Sequence, residues 1–230
     1  MERLDLGRSF TFMFEDSDWV IKLVVGALIL LVSGVFSIFL VGFLGFVLLT
    51  GYMAAIVRHV ARGEELPLPQ WENFGDLFVD GLRVGIATFV WSLPALVLAV
   101  PIFITSLLAV DGSDAVAAVV TLILLVCGCL LLLYSLFLAV VSPVIILRVA
   151  EEQRLSAAFE VGTILGLVRS SIGPIILVIV ASWIAQFLAL VVGMLVCGVG
   201  VLVTWVWALW VQGHLIGQLG RLTSQVPEPA

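Results

Sequence analysis

The chain is 230 residues long, 63% hydrophobic and only 11% charged, with a mean hydropathy of +1.29. A soluble domain runs at about 45–50% apolar and about 25% charged, so this chain cannot cover its own core in water, and a soluble enzyme, a secreted disulfide scaffold and a disordered regulator are excluded. Its net charge of −6 leaves no basic stripe for nucleic acid.

In chain order, the first feature is a segment at about 4–14 in which Leu6, Phe10, Met13 and Phe14 recur at helical spacing, with Asp16 or Ser17 placed to cap the next helix. The apolar stretch 19–62 follows. Crossing a hydrocarbon core of about 30 Å takes about 20 helical residues, so this stretch suits two crossings, with Gly42 and Gly45 available as the break. Around 70–80, Trp71, Phe74, Phe78 and Leu82 share one face of a helical wheel, while Glu72, Asp76 and Asp80 share the other. Stretches 79–110 and 115–150 each read as one long crossing, joined by Asp111, Gly112, Ser113 and Asp114, with Asp114 capping the second. Pro94 and Pro101 in the former and Pro143 in the latter predict bent or tilted helices. Ser156, Glu160 and Thr163 form a polar stripe in a third amphipathic segment, about 155–169. Stretch 171–220 again holds two crossings, with Gly193, Gly198 and Gly200 at the break.

Charge placement decides the number of passes. Six crossings, at roughly 20–40, 43–61, 80–109, 115–147, 172–194 and 199–220, leave every basic residue on one side: Arg3, Arg8, Lys22, Arg58, Arg62, Arg83, Arg148, Arg154, Arg169 and Arg221. Splitting 115–150 in two sends Arg148, Arg154 and Arg169 across and destroys that partition. Because cytoplasmic loops carry the Lys/Arg excess, both termini are expected in the cytoplasm and the protein in the cell membrane. The predicted fold is all-α: a single-domain integral membrane bundle of six helices in three transmembrane hairpins (about 19–62, 79–150 and 171–222). Cytoplasmic interfacial helices are predicted at about 4–14, 70–80 and 155–169. The carboxylates of the second would repel anionic headgroups, so they are expected to face water, Arg58, Arg62 and Arg148, or a basic partner.

Past Asp80, the first residue of the third crossing, the proposed crossings hold no Asp and no Glu, and intramembrane ionisable groups are what mark proton and cation routes. That counts against a coupled transporter. No Ser/His/Asp or Cys/His arrangement, Walker loop or metal-ligand spacing is visible, so no catalytic residue, metal or cofactor is assigned. Cys127, Cys129 and Cys197 sit in apolar runs and read as packing residues. His59 reads as a headgroup-level residue near a helix C-terminus.

The sixth crossing carries the one candidate site. Trp207, Trp210, His214, Gln218 and Arg221 fall on one helical face and grow more polar toward the charged end. Two readings stay open: a site with indole walls for an acyl chain or pigment and Arg221 for a phosphate, or an interfacial aromatic belt with a snorkelling arginine. Three glycine pairs at i, i+4 (Gly81/Gly85, Gly162/Gly166 and Gly213/Gly217) suit close helix approach, within the chain or between copies. Gly51-Tyr52-Met53-Ala54-Ala55, ending the second crossing, echoes Gly213-His214-Leu215-Ile216-Gly217, ending the sixth, as a hairpin duplication would.

A resemblance adds to this reading. Phe14-Glu15-Asp16-Ser17-Asp18-Trp19, Gly51-Tyr52, Arg62-Gly63-Glu64-Glu65-Leu66-Pro67 and the run from Trp71 to Gly81 together resemble an uncharacterised family of prokaryotic multi-pass membrane proteins, known as domain of unknown function 4013. More distantly, 143–171 resembles the linker and amphipathic helix of membrane domains attached to some glycerophosphodiesterases. The family resemblance implies a topology and no activity. Two functions are therefore carried forward. One is a non-enzymatic scaffold or accessory subunit, with membrane lipids and other membrane-protein subunits as partners. The other is a carrier or permeation protein for a lipid-like or small apolar molecule.

Overall fold

The computed structural model describes residues 4–37, 40–108, 114–196 and 198–224. Among them the chain forms eight α-helices and no strand: α1 (Leu6–Thr11), α2 (Trp19–Val35), α3 (Leu40–Ala61), α4 (Phe74–Leu108), α5 (Asp114–Glu152), α6 (Val161–Ser170), α7 (Ile172–Leu195) and α8 (Gly200–Ser224). Five of them are long and apolar enough to cross a membrane. A sixth crossing is completed if Leu6–Glu15 and Trp19–Val35, which meet at a 100° bend, are taken as one. This is a multi-pass membrane-embedded helical bundle. The turn expected at Asp111, Gly112 and Ser113, and Cys197, lie outside the described residues, as does the capping side chain of Asp114.

The core is built on α3 and α8, which pack side by side and are enclosed by α2, α4, α5 and α7. Tyr52, Ala54, Ile56, Val57 and Val60 of α3 and Val206, Trp210, Val211, Leu215 and Leu219 of α8 are completely buried. Glycines allow the close approach. A methyl group at Gly217 would sit 2.6 Å from Val60 Cβ and 2.7 Å from the Val57 carbonyl oxygen, and one at Gly51 would overlap the Leu77 carbonyl of α4. Backbones in such contact gain dispersion along their length, which is what associates helices in lipid. The two echoed pentapeptides thus lie on the two central helices and face each other, with Gly213 on Met53 and Ile56. Gly85, Gly162 and Gly166 have open space beside them.

At one end of the bundle the termini of several helices are tied together by charge. Asp80, 5% exposed, accepts 2.8 Å bonds from both Arg58 of α3 and Arg83 of its own helix. The Arg58 guanidinium also donates to the Ala150 carbonyl of α5, at 3.5 Å. Arg221 of α8 donates to the Val60 carbonyl at 2.6 Å. The C-terminal ends of α3, α5 and α8 and the N-terminal end of α4 therefore meet on the same face.

Several local expectations are corrected. The residue before α2 is Asp18, and its side chain makes no capping bond. Asp16 instead accepts the Asp18 N–H at 2.8 Å and a 2.6 Å bond from Lys22 Nζ, an ion pair with both side chains buried. Gly42 and Gly45 do not form the first break: they lie in the opening turns of α3, pressed on Phe36 and Ser33. The later break fits at Gly198, which adopts φ +77°, and at Gly200, which opens α8, whereas Gly193 lies inside the last turns of α7.

The 70–80 segment is not a separate helix. Pro67 and Pro69 favour an extended path, the Tyr52 hydroxyl donates to the Pro69 carbonyl at 2.7 Å, and α4 starts only at Phe74, after Asn73 at φ +49°. Trp71 lies outside the helix, stacked 4.2 Å from Tyr52 with its indole N–H on the Lys22 carbonyl at 2.9 Å. The 155–169 segment is also divided, into a 3-10 turn over Leu155–Phe159 and then α6. The divide falls at Glu160, whose carboxylate takes bonds from Arg148 at 3.0 Å and Arg154 at 2.8 Å.

Candidate functional site

The α8 stripe packs against the rest of the chain, with Trp210, His214 and Gln218 buried and Trp207 and Arg221 half-buried, and its members face two ways. Trp207, His214 and Gln218 face the N-terminal segment. Asp5 N donates to Gln218 Oε1 at 2.8 Å, and Gln218 Nε2 donates to the Asp5 carbonyl at 3.0 Å, a two-point clasp between residues at opposite ends of the chain. The same amide nitrogen lies 3.1 Å from Ser9 Oγ and 3.2 Å from His214 Nδ1. The Ser9 hydroxyl also lies 3.0 Å from His214 Nδ1, so serine, amide and imidazole form one buried cluster. Phe12 stacks on the imidazole at 4.3 Å, and Trp207 Nε1 donates to the Phe10 carbonyl at 3.4 Å. Trp210 and Arg221 face α3: Trp210 stacks 5.4 Å from Tyr52, and Arg221 holds the Val60 carbonyl. Four of the five thus have hydrogen-bond partners inside the chain, while Trp210 Nε1 is buried with none among the described residues.

A second polar feature went unnoticed in the sequence. Between α5, α7 and α8 lies a cavity of about 90 Å³, partly open at the side, with Ser142, Pro143, Ser182, Gln186 and Gln212 in its wall. Ser182 is 6% exposed and its hydroxyl has no hydrogen-bond partner among the described residues. Among the described residues the Gln186 and Gln212 carboxamides have none either. Pro143 has no N–H, so the Ala139 carbonyl one turn earlier loses its helical donor and keeps only a 3.4 Å bond from Ser142. At 1.5 Å per residue, Ser182 stands about 15 Å in from the start of α7, well inside the apolar layer. The signal was available: Gln186 is a glutamine amid the apolar run of α7 and Gln212 lies midway along α8, and a search for ionisable groups alone passes over them.

A family profile described as a protein of unknown function (DUF4013) matches residues 34–198. The chain belongs to that family. No curated protein and no solved structure matches it. In this DUF4013 protein the matched region runs from the end of α2 to just before α8. The α8 stripe and its N-terminal partner both lie outside the match, whereas the cavity draws Ser142, Pro143, Ser182 and Gln186 from inside it and Gln212 from beyond.

Elsewhere the ionisable groups of this DUF4013 protein serve its own charged end. Arg148 pairs with Glu152 and Glu160, and Arg154 with the same two carboxylates. The hydrogen bond to Glu152 holds the Arg154 guanidinium above its ordinary pKa, with the Glu152 charge adding to the effect. His59 Nδ1 donates to the Pro67 carbonyl at 3.1 Å. Among the described residues no three His, Cys, Asp or Glu side chains converge as a metal site would need.

Proposed function

We propose that this DUF4013 protein is a non-enzymatic scaffold or accessory subunit of an assembly in the cell membrane, with both ends in the cytoplasm and lipids and other membrane subunits as its partners. The supporting observation is the α4–α5 hairpin. With the charged ends aligned at Asp80 and Ala150, about 42 Å of α4 and about 54 Å of α5 extend away from that face, against about 27 Å of α3 and about 30 Å of α8. A 30 Å core crossed at a tilt of 40°, the steep end of the usual range, takes up only about 39 Å of helix. The surplus, about 3 Å of α4 and about 15 Å of α5, is apolar and exposed: Leu107 on α4, and Val116, Val119 and Leu122 on α5. Neither water nor a bilayer of ordinary thickness suits that surface, whereas helices of a partner would.

A photocrosslinking residue placed at Leu107, Val119 or Leu122 in native membranes tests this. The scaffold reading expects one protein adduct of a single mass, retained at fixed stoichiometry in native mass spectrometry. Lipid adducts alone, from a monomer, contradict it. Carriage of a lipid-like molecule is the second reading, favoured by the polar cavity at the α5–α7–α8 junction.

A further inference from the structure

We infer that the cavity between α5, α7 and α8 is a binding site for the hydroxylated headgroup of a neutral lipid, an acylglycerol being the simplest case. The inference does not depend on the scaffold reading, because it concerns a different face of the molecule.

The argument starts from unmet hydrogen bonds. In hydrocarbon no water is at hand to satisfy a polar group, so each unpaired one is costly. Here Ser182, buried to 6% exposure, the half-buried Gln212 and the exposed Gln186 line one space without partners of their own among the described residues, beside the Ala139 carbonyl, which Pro143 leaves with only a 3.4 Å bond from Ser142. Together they offer amide and hydroxyl donors and an equal variety of acceptors, which suits a group that both gives and takes hydrogen bonds. No charged residue lines the space, so a phosphate or carboxylate would enter uncompensated; the occupant is neutral. Its volume of about 90 Å³ is several times the about 10–15 Å³ that one water needs on the same measure, room for a polyol head, and its polar wall suits such a head better than an acyl chain. The chain would remain outside, and the way out is visible: Trp183, 61% exposed, and Gln186 stand on the outward face of α7. A lipid entering sideways would leave its head among the amides and its tail along Trp183.

The test uses the full-length protein in phosphatidylcholine nanodiscs with a photoreactive diacylglycerol whose label is close to the free hydroxyl. The expected result is labelling of peptides holding 139–143, 178–186 and 212–216, lowered at least tenfold by unlabelled diacylglycerol and not by an alkane or a fatty acid of equal length. This competition needs no variant, so a misfolded mutant cannot obscure it. Ser182→Ala, Gln186→Leu and Gln212→Leu are each expected to reduce that labelling about fivefold, the equivalent of one neutral hydrogen bond, while a photoreactive phosphatidylcholine labels all variants alike. Labelling that maps elsewhere, or that the alkane displaces as well, overturns the assignment. So does a wild-type protein that excludes diacylglycerol, which would mean that water alone occupies the space.

Discussion

Three carboxylates at helical spacing, Glu72, Asp76 and Asp80, are equivalent in the sequence and unequal in the fold. Glu72 and Asp76 are exposed, whereas Asp80 is 5% exposed between two guanidinium groups at 2.8 Å. Asp80→Ala strands Arg58, whose side chain is only 13% exposed, and removing one partner from a buried ion pair costs about 3–5 kcal/mol. The low end applies, because Arg83 is one-third exposed and its share is about 0–1 kcal/mol. A loss of about 3–4 kcal/mol lowers the melting temperature of a chain this long by roughly 6–16 °C. Thermal unfolding in mild detergent, followed by tryptophan fluorescence, reads the shift directly. Glu72→Ala and Asp76→Ala should melt with the wild type, and Arg58→Met with Asp80→Leu should recover most of the loss, since an apolar pair replaces a buried ionic one at little cost. Equal shifts for all three carboxylates would refute the reasoning, because it rests entirely on their different surroundings.

Other perturbations separate contacts in the same way. Gly217→Val should destabilise the α3–α8 seam enough to abolish monodisperse behaviour on size exclusion, whereas Gly85→Ala, with nothing near its side, should gain about 0.5–1 kcal/mol from helix propensity. Lys22→Ala leaves the buried Asp16 carboxylate without its cation and should cost about 3 kcal/mol in the same melting assay; adding Asp16→Asn should restore part of it. Ser9→Ala removes the hydroxyl that joins His214 and Gln218 and should cost about 1–2 kcal/mol, seen first as faster tryptic cleavage at Arg8.

The structure meets the expected six crossings only if Leu6–Glu15 and Trp19–Val35 count as one, but the multi-pass character and the long single helices of the second hairpin are legible in the sequence, because hydropathy over about 20 residues is a strong signal. Segment boundaries outside the apolar runs are not. A helical wheel puts Trp71 with Phe74, but stacking on Tyr52 and a bond to Lys22 pull it out of the helix, and Glu160 breaks its amphipathic segment to reach two arginines. The α8 stripe was visible as a pattern, yet its neighbours, Asp5 to Phe12, lie some two hundred residues away and no local rule connects them. The cavity was missed for a different reason: Gln186, Gln212 and Ser182 are unremarkable singly, and only the packing of α5, α7 and α8 brings them together.

The central claim is that the charged helix ends lie on one side of the membrane and the hairpin turns on the other. Cysteine labelling with a membrane-impermeant maleimide tests it most directly, in a background where Cys127, Cys129 and Cys197 are alanine. Cysteines placed at Glu64, Gln153 and Ser224 should react only after the cells are opened, and those at Ser37 and Val199 in intact cells. Any division of the first three between the two conditions contradicts the account.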